Sequence, residues 1–274
     1  MTVSNKTWFI TGSSKGFGRL WAQAALERGD RVVATARNTA DVEPLAARYG
    51  SGVLPMQLDV TDRDAVFAAV RQAAEHFGTI DVLVNNAGYG HFGMVEELTE
   101  PEIRSQMETN FFGALWVTQA VVPIMRAQRS GRILQITSEG GVRAYPGIGA
   151  YHASKWALEG LSESLWQEVE QFGIQVTNVE PGPYATDWLA TGSRNSAPNT
   201  AYDDVRASTA DGFEVGDPAA TSAAILQIVD TDRAPHRLFL GRTYDAIVPI
   251  YQDRLDTWQR WQPTALAAFG QPAV

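Results

Sequence analysis

The chain has no cysteine and few histidines, and it has fewer basic than acidic residues. Without cysteine it can form no disulfide, no thiolate nucleophile and no Cys-ligated metal site. The four histidines are scattered, so we expect no metal; they are His76, His91, His152 and His236. The net charge of −9 argues against nucleic acid or an anionic membrane as the main partner.

Long apolar runs are missing as well. The polar N-terminus, residues 1–6, lacks the basic and apolar regions of a signal peptide. The most apolar helix-like stretch, residues 111–125, is interrupted by Thr118, Gln119 and Pro123, which is typical of a buried core helix and not of a membrane span. We therefore expect a cytoplasmic protein. With 45% hydrophobic residues, its 274 residues are enough for a substantial core.

What is present is an alternation of short apolar strands and helical segments. The strands are predicted at Thr7–Thr11, Val32–Ala36, Val53–Leu58, Val82–Val84, Ile133–Thr137 and Val176–Val179. The helices are predicted at Gly18–Arg28, Asp62–His76, Asn110–Gln128 and Ala150–Phe172, with Asp62 and Thr99 as N-caps. This alternation predicts an α/β fold with a doubly wound, Rossmann-like parallel sheet in a single domain, residues 1–274.

The pattern weakens after Gly182. Residues 183–215 hold glycine and proline among polar residues, and a segment this long and irregular predicts a substrate lid. Roughly the last 60 residues show no clear pattern. There is no linker-like break and no internal repeat, which favours one domain.

The first strand is followed by a glycine-rich turn, Thr11-Gly12-Ser13-Ser14-Lys15-Gly16-Phe17-Gly18. Such turns are often purely structural, but at the first strand–helix junction of a doubly wound sheet glycines let the backbone approach a pyrophosphate. The spacing G-x-x-x-G-x-G also lacks the Gly-Lys-Ser/Thr of nucleotide triphosphatases. It predicts cofactor contacts by Gly12, Ser14, Lys15, Gly16, Phe17 and Gly18.

The second strand ends at Ala36-Arg37, where NAD-preferring folds place an acidic residue that binds the ribose 2′-hydroxyl. The planar guanidinium of Arg37 suits a 2′-phosphate instead, and Lys15 in the glycine turn can approach the same group. The alternative is a solvated arginine at a strand end. Two cations and no acid favour NADP(H) as the cofactor.

Tyr151 and Lys155 are four residues apart in a predicted helix, so their side chains share one face. A free phenol has a pKa of about 10, and a nearby cation lowers that pKa. The pair is therefore a candidate acid/base that moves one proton. Taken alone it is weak evidence, because a Tyr and a Lys one turn apart are common on surface helices.

Taken in order, these motifs closely resemble the short-chain dehydrogenase/reductase family over roughly residues 5–190. Besides the glycine turn, the matching positions are Leu58-Asp59-Val60, Asn85-Asn86-Ala87-Gly88, Asn110, Ser138, Tyr151-His152-Ala153-Ser154-Lys155 and Pro181-Gly182-Pro183-Tyr184-Ala185-Thr186. Within the family, Ala34-Thr35-Ala36-Arg37 and the chain length resemble the NADP-dependent carbonyl and hydroxysteroid reductase-like branch.

The resemblance implies a catalytic set of Asn110, Ser138, Tyr151 and Lys155. Tyr151 would donate the proton and Ser138 would hydrogen-bond the substrate oxygen. Lys155 would lower the pKa of Tyr151 and hold the nicotinamide ribose, and Asn110, at the start of the long helix, would hold a water that links Lys155 to solvent. Cofactor contacts are implied for Asp59, Val60, Asn86, Ala87, Gly88, Tyr151, Lys155, Pro181, Gly182 and Thr186.

Each of these side chains also has an ordinary structural alternative. Ser138 can hydrogen-bond a strand end, Asn110 can cap a helix, and Asp59 can end a strand. His91, near the expected mouth of the pocket, fits a surface loop at least as well as a substrate contact.

The substrate pocket is expected between residues 139–149, residues 91–93 and the lid. Its aromatic and apolar side chains are expected to be Phe92, Tyr145, Tyr184, Trp188 and Leu189. This composition favours a hydrophobic ketone, aldehyde or secondary alcohol as the small-molecule substrate, but it does not identify the compound.

The expected function is therefore that of an oxidoreductase which transfers a hydride between NADP(H) and a carbonyl or secondary alcohol, a ketoreductase in cells. A non-catalytic NADP(H)-binding regulator is the alternative, although it needs no proton relay. Nucleotide-sugar epimerases and dehydratases are less favoured, since they usually have longer chains and a G-x-x-G-x-x-G loop. The resemblance also implies a homodimer or homotetramer built on the 110–128 and 150–172 helices, where Trp156 and Trp166 fit either core or interface.

Overall fold

A computed structural model describes residues 5–190, 192–209 and 214–270; the side chains of residues 189 and 190 lie outside the described part. The strands in it are β1 (Thr7–Ile10), β2 (Arg31–Ala36), β3 (Val53–Gln57), β4 (Val82–Asn85), β5 (Gly90–Phe92), β6 (Gly131–Ile136), β7 (Ile174–Pro181), β8 (Ser193–Asn195) and β9 (Arg237–Leu240). Seven of them form one parallel sheet in the order β3-β2-β1-β4-β6-β7-β9, and β5 pairs with β8. The predicted doubly wound, single-domain fold is confirmed.

The helices of the described residues are α1 (Gly16–Glu27), α2 (Glu43–Tyr49), α3 (Arg63–Phe77), α4 (Glu100–Met107), α5 (Gly113–Gln128), α6 (Gly149–Val169), α7 (Asp187–Ala190), α8 (Asp203–Ser208), α9 (Thr221–Asp230) and α10 (Tyr244–Ala268). Both predicted N-caps are confirmed. The Asp62 carboxylate accepts from the Ala65 N–H at 2.9 Å, and the Thr99 N–H donates to Glu102 at 2.8 Å.

The sheet is covered on both faces, which explains why its strands are continuous apolar runs. In β1, Trp8 and Ile10 pack into a core cluster with α1 and α9, whereas Phe9 points to the other cluster with α3 and α5. All of these side chains are fully buried. The chain order reverses between β1 and β4, so the carboxyl edge opens a crevice there, where ligands bind in folds of this kind.

The C-terminal elements β9, α9 and α10 fall where the sequence shows no clear pattern. β9 extends the sheet beside β7, and α9 packs on α1, where the indole N–H of Trp21 donates to Thr221 at 2.9 Å. Trp166 stacks on the His236 ring, while Trp156 is partly exposed and contacts the Arg254 guanidinium. Among the described residues, no helix is both long and apolar enough to cross a bilayer.

Candidate active site

The candidate site is a cavity at the carboxyl edge of the sheet, where β1, β4, β6 and β7 end. Its volume is about 1680 Å³, larger than the roughly 300–1,000 Å³ of a usual small-molecule pocket. It extends from the glycine turn before α1 to the segment that holds α7 and α8. The cavity therefore has room for a dinucleotide and a second small molecule.

Most of the residues predicted for the site line this cavity. They are Gly12, Ser14, Lys15, Gly16, Phe17, Arg37, Asp59, Val60, Asn86, Ala87, Gly88, Ser138, Tyr151, Lys155, Pro181, Gly182 and Thr186. Gly18 and Asn110 lie one layer behind the wall and contact residues that form it.

The glycine turn is held against the loop after β4 by Asn86. Its side-chain amide donates to the carbonyl oxygens of Thr11 at 3.0 Å and Gly12 at 2.9 Å. A Cβ at Gly18 would lie 2.4 Å from the Gly12 oxygen, so only glycine permits this approach. α1 begins at Gly16 with no acidic residue in its first turn, which leaves its positive end available to an anion. The turn therefore fits the pyrophosphate of a dinucleotide.

The wall near the end of β2 carries Arg37 and Asp59. Arg37 is exposed, and its backbone carbonyl accepts from the Gln57 amide at 3.1 Å, which fixes the end of the strand. The Asp59 carboxylate accepts from the N–H and the hydroxyl of Thr61. Asp59 thus closes a turn while it borders the cavity, and an adenine contact by this residue stays a prediction.

Tyr151, Lys155 and Ser138 meet in the middle of the cavity. α6 carries the first two on one face, as predicted, and Ser138 lies beyond the end of β6. The Ser138 hydroxyl lies beside the Tyr151 phenol, accepts from the Gly140 N–H at 3.0 Å and donates to the Pro181 carbonyl at 3.4 Å. The Lys155 Nζ lies 5.7 Å from the centre of the Tyr151 ring. Lys155 also donates to the Ile136 carbonyl at 2.7 Å, which holds the ammonium against the end of β6.

Burial dominates the ionisation of this pair. It raises the pKa of Tyr151 to about 12, although the hydrogen bond from Ser138 opposes the rise. Desolvation of the phenol is thus the main influence on its pKa, and a lowering of that pKa by Lys155 stays a prediction. Burial also lowers the pKa of Lys155 to about 8, against the opposing charge of Glu159. At neutral pH the phenol is protonated and the amine is largely charged.

Asn110 does not open the long helix, contrary to the expectation from sequence. It lies in a π-helical turn, residues 108–112, which joins α4 and α5 into one helical run. Its Oδ1 accepts from the Tyr89 N–H at 3.1 Å, and its amide donates to the Tyr89 carbonyl at 3.0 Å and the Ser154 hydroxyl at 3.1 Å. The helix-cap alternative is therefore wrong, and the side chain ties the loop after β4 to α6.

Glu159 is a buried acidic residue behind Lys155 that none of the sequence motifs marks. Glu159, one turn further along α6, accepts from the Asn178 amide at 2.5 Å and pairs with Arg237. Arg237 also lies 3.1 Å from Glu180, whose pKa burial raises to about 7. Its place could have been predicted from the i, i+4 spacing between Lys155 and Glu159, which continues the helix face that carries Tyr151.

Trp188 of α7 covers Tyr151 from the lid side. The two rings make an edge contact with centroids 5.1 Å apart, and Trp188 also meets the Phe92 ring at 5.8 Å. A Cβ at Gly90 would lie 2.3 Å from the Trp188 ring, so this close contact requires glycine. The predicted aromatic wall of Phe92 and Trp188 is therefore present beside the candidate proton donor.

His91 proves to be neither a surface residue nor a wall of the cavity. Its side chain is buried, and its Nε2 lies 2.9 Å from the Ser196 hydroxyl, which donates to Glu102 at 3.0 Å. β5 and β8 pair in parallel at the same place. Together these contacts join the lid to the segment before α4, so His91 anchors the lid.

The remaining residues predicted for the substrate pocket and the lid have different outcomes. Tyr145 lines the cavity and donates its hydroxyl to Glu139 at 2.7 Å, and Tyr184 packs edge-on against Phe17. The Leu189 side chain and residues 191 and 210–213 lie outside the described residues. The described part of the lid contains α7, β8 and α8, so it is more regular than the sequence predicts.

The geometry has counterparts among known proteins. Residues 6–197 match the family model described as short chain dehydrogenase. A 3-ketodihydrosphingosine reductase from Bacteroides thetaiotaomicron is 39% identical over 263 residues, which cover 93% of this chain and 92% of that protein.

Two solved structures have the same architecture. A short-chain dehydrogenase from Streptomyces avermitilis has a TM-score of 0.90 and 38% identity, and the match covers 96% of this chain and 98% of that one. An alcohol dehydrogenase from the archaeon Thermococcus sibiricus, complexed with 5-hydroxy-NADP, has a TM-score of 0.73 and 26% identity, with 86% and 95% covered.

Proposed function

We propose that this chain, which belongs to the short-chain dehydrogenase family, reduces a hydrophobic ketone or aldehyde with NADPH. That it is an oxidoreductase of the dehydrogenase/reductase kind follows from the family. The observation that carries the finer proposal is the meeting of Tyr151, Ser138 and Lys155 in a cavity that also reaches the start of α1.

Two observations indicate that a nicotinamide cofactor fits this cavity. Gly18 lies so close to Gly12 that the glycine turn can approach a pyrophosphate, and the start of α1 can bind an anion. When bound, it supplies the hydride that a carbonyl reduction requires. Gly12, Ser14, Gly16 and Phe17 would hold the pyrophosphate, and Pro181, Gly182 and Thr186 border the part of the cavity next to Ser138.

The protein's own part is to hold and move one proton. Tyr151, whose pKa burial raises to about 12, is protonated at neutral pH and can donate its phenolic proton to the substrate oxygen. Ser138, beside the same phenol, can donate to that oxygen as charge develops on it. Lys155 keeps a positive charge beside the phenol and stabilises the phenolate that donation leaves. The protonated form of Tyr151 is the form that reduction requires.

NADP(H) is the proposed cofactor because two cations border the cavity: Arg37 at the end of β2, where an acidic residue would favour NAD(H), and Lys15 in the glycine turn. The Thermococcus sibiricus relative, solved with an NADP analogue, is consistent with this choice. Replacing Arg37 with Asp should lower the ratio of kcat/KM for NADPH to that for NADH by about tenfold or more, the loss of one charge-assisted phosphate contact. An unchanged ratio would refute the 2′-phosphate assignment.

The aromatic lining by Phe92, Tyr145 and Trp188 supports a hydrophobic substrate, and the Bacteroides relative is named as the reductase of a keto lipid. The direct experiment is a panel of aromatic, steroid, long-chain and short aliphatic ketones and aldehydes, followed by NADPH absorbance. We expect turnover of the bulky apolar members. NADPH binding without turnover of any member would favour the regulator alternative.

The remaining expectations also stand as proposals. We place the protein in the cytoplasm, acting on a small molecule, with no nucleic acid or membrane partner and as a homo-oligomer. The acidic net charge of −9 supports the absence of a nucleic-acid or anionic-membrane partner.

A further inference from the structure

The last long helix, α10, makes little contact with the other described residues. Its 25 residues span about 37 Å at 1.5 Å per residue, yet Ile247 is the buried residue it contributes within the described part. From Leu255 to Phe269 the described side chains are exposed, apart from a half-buried Leu266. Isolated helices of up to about 12–15 residues are marginal in water, which is the size of this exposed stretch, and α10 also contains two prolines. The helix therefore needs a surface to pack on.

α10 carries large apolar side chains along one exposed face. Tyr244, Val248, Tyr251, Leu255 and Trp258 follow one another at intervals of four, three, four and three residues. Their exposed fractions are 65%, 45%, 41%, 55% and 68%. Continuing the same intervals leads to Gln262, Ala265 and the 79%-exposed Phe269. We call the face that holds these positions the α10 stripe.

The spacing of the α10 stripe is that of a heptad seam. Apolar residues that alternate at three and four residues keep one face of a helix turned towards a second helix over many turns. A helix that only covers its own domain needs a broader apolar face at 3.6-residue spacing. The stripe therefore fits a partner helix that runs alongside it.

The size of the α10 stripe also fits a protein partner. With about 150–250 Å² for each aromatic side chain, the exposed surface of the α10 stripe is on the order of 700 Å². That exceeds the roughly 300–600 Å² patch of a typical monomer and approaches the about 800 Å² that each partner contributes to a standard interface.

Charge narrows the choice of partner. α10 holds three aspartates, Asp245, Asp253 and Asp256, and two arginines, Arg254 and Arg260, so its net charge is −1 on a chain of net −9. Helices that lie on anionic membranes are rich in Lys and Arg instead. Arg254 contacts the Trp156 and Tyr251 rings, which ties the first half of α10 to α6, whereas Leu255, Trp258 and Phe269 beyond it are exposed.

We propose that the α10 stripe is the interface on which a second copy of this chain packs its own α10. A two-fold pairing brings identical patches together, so each copy covers the other's stripe with the same apolar side chains. The proposal does not depend on the reaction that the cavity performs.

The test measures mass in solution. Wild-type protein, Leu255→Asp and Trp258→Asp are compared by size-exclusion chromatography with light scattering, and Thr257→Asp is the matched control, since it adds the same charge off the stripe. We expect either stripe substitution to halve the mass and the control to leave it unchanged. A monomeric wild type, or stripe variants with the wild-type mass, would overturn the proposal.

Two further measurements keep the result interpretable. Circular dichroism and NADPH binding show whether the aspartate variants are folded; if they are not, Leu255→Ala with Trp258→Ala must raise the dimer dissociation constant at least about tenfold, as the loss of two buried large side chains requires.

Because the chain has no cysteine, Leu255→Cys and Thr257→Cys can be treated with a short bis-maleimide without background. Preferential cross-linking of Leu255→Cys supports the pairing. Equal cross-linking of both, or wild-type binding to phosphatidylserine vesicles in place of self-association, contradicts it.

Discussion

The two halves of the cavity are built in different ways. The cofactor half is fixed by backbone approach within the glycine turn, where Gly18 packs on Gly12, and by Asn86, which donates to Gly12 from the loop after β4, 74 residues further along the chain. The substrate half depends on contacts between segments about a hundred residues apart in the chain, such as Gly90 with Trp188 and His91 with Ser196. The cofactor half is thus specified by short sequence motifs, whereas the substrate half also requires the lid to pack on β5.

A substitution at Gly18 should damage only the cofactor half. Its alanine would place a Cβ 2.4 Å from the Gly12 oxygen and 2.5 Å from the Asn86 amide. A clash of this kind costs about 1–3 kcal/mol, which corresponds to a roughly 5- to 150-fold loss of NADPH affinity if it falls on the bound turn. The measurement is the NADPH dissociation constant by fluorescence titration. Gly160→Ala is the control, since a Cβ there meets nothing within 4 Å; equal affinities in the two variants would contradict this account of the turn.

A substitution at Trp188 should act on the substrate half alone. Trp188→Ala removes the ring that covers Tyr151 and Phe92, so bulky ketones should gain relative to small ones, by about tenfold in the ratio of kcat/KM. The NADPH dissociation constant should stay within about twofold of wild type, because no cofactor contact is removed. Trp156→Ala, on the outer face of α6, serves as the control. Unchanged selectivity would show that Trp188 does not form the substrate wall.

A smaller effect is expected where the two halves meet, at Lys155. Its pKa is lowered to about 8 by burial, and the Glu159 carboxylate opposes that lowering. Reduction should therefore weaken as pH rises through about 8 and the ammonium is lost. Glu159→Gln removes the opposing charge, so the alkaline decline of kcat/KM should begin at lower pH. Glu163→Gln, which also loses a contact to Arg237 but is exposed, should keep the wild-type profile.

The difference between the halves explains which features are readable from sequence. The strands, the glycine turn and the Tyr151–Lys155 face follow from local periodicity and spacing, and all appear in the structure. The buried role of His91 depends on Ser196, which is 105 residues away. The sequence predicts a helix start at Asn110 because the π-helical turn that holds this residue has no sequence mark of its own. The heptad spacing in α10 can be read from the sequence, but it indicates a partner surface only because the structure shows that these side chains are exposed.

The central claim is that Tyr151 is the proton donor of an NADPH-dependent carbonyl reduction. The most direct measurement is Tyr151→Phe, with single-turnover reduction of the best ketone of the panel and NADPH titration on the same preparation. The account predicts a loss of about 10²–10⁴-fold in the reduction rate, the usual contribution of a positioned acid, with NADPH affinity within about tenfold of wild type. A Phe variant that reduces the ketone at the wild-type rate would contradict it.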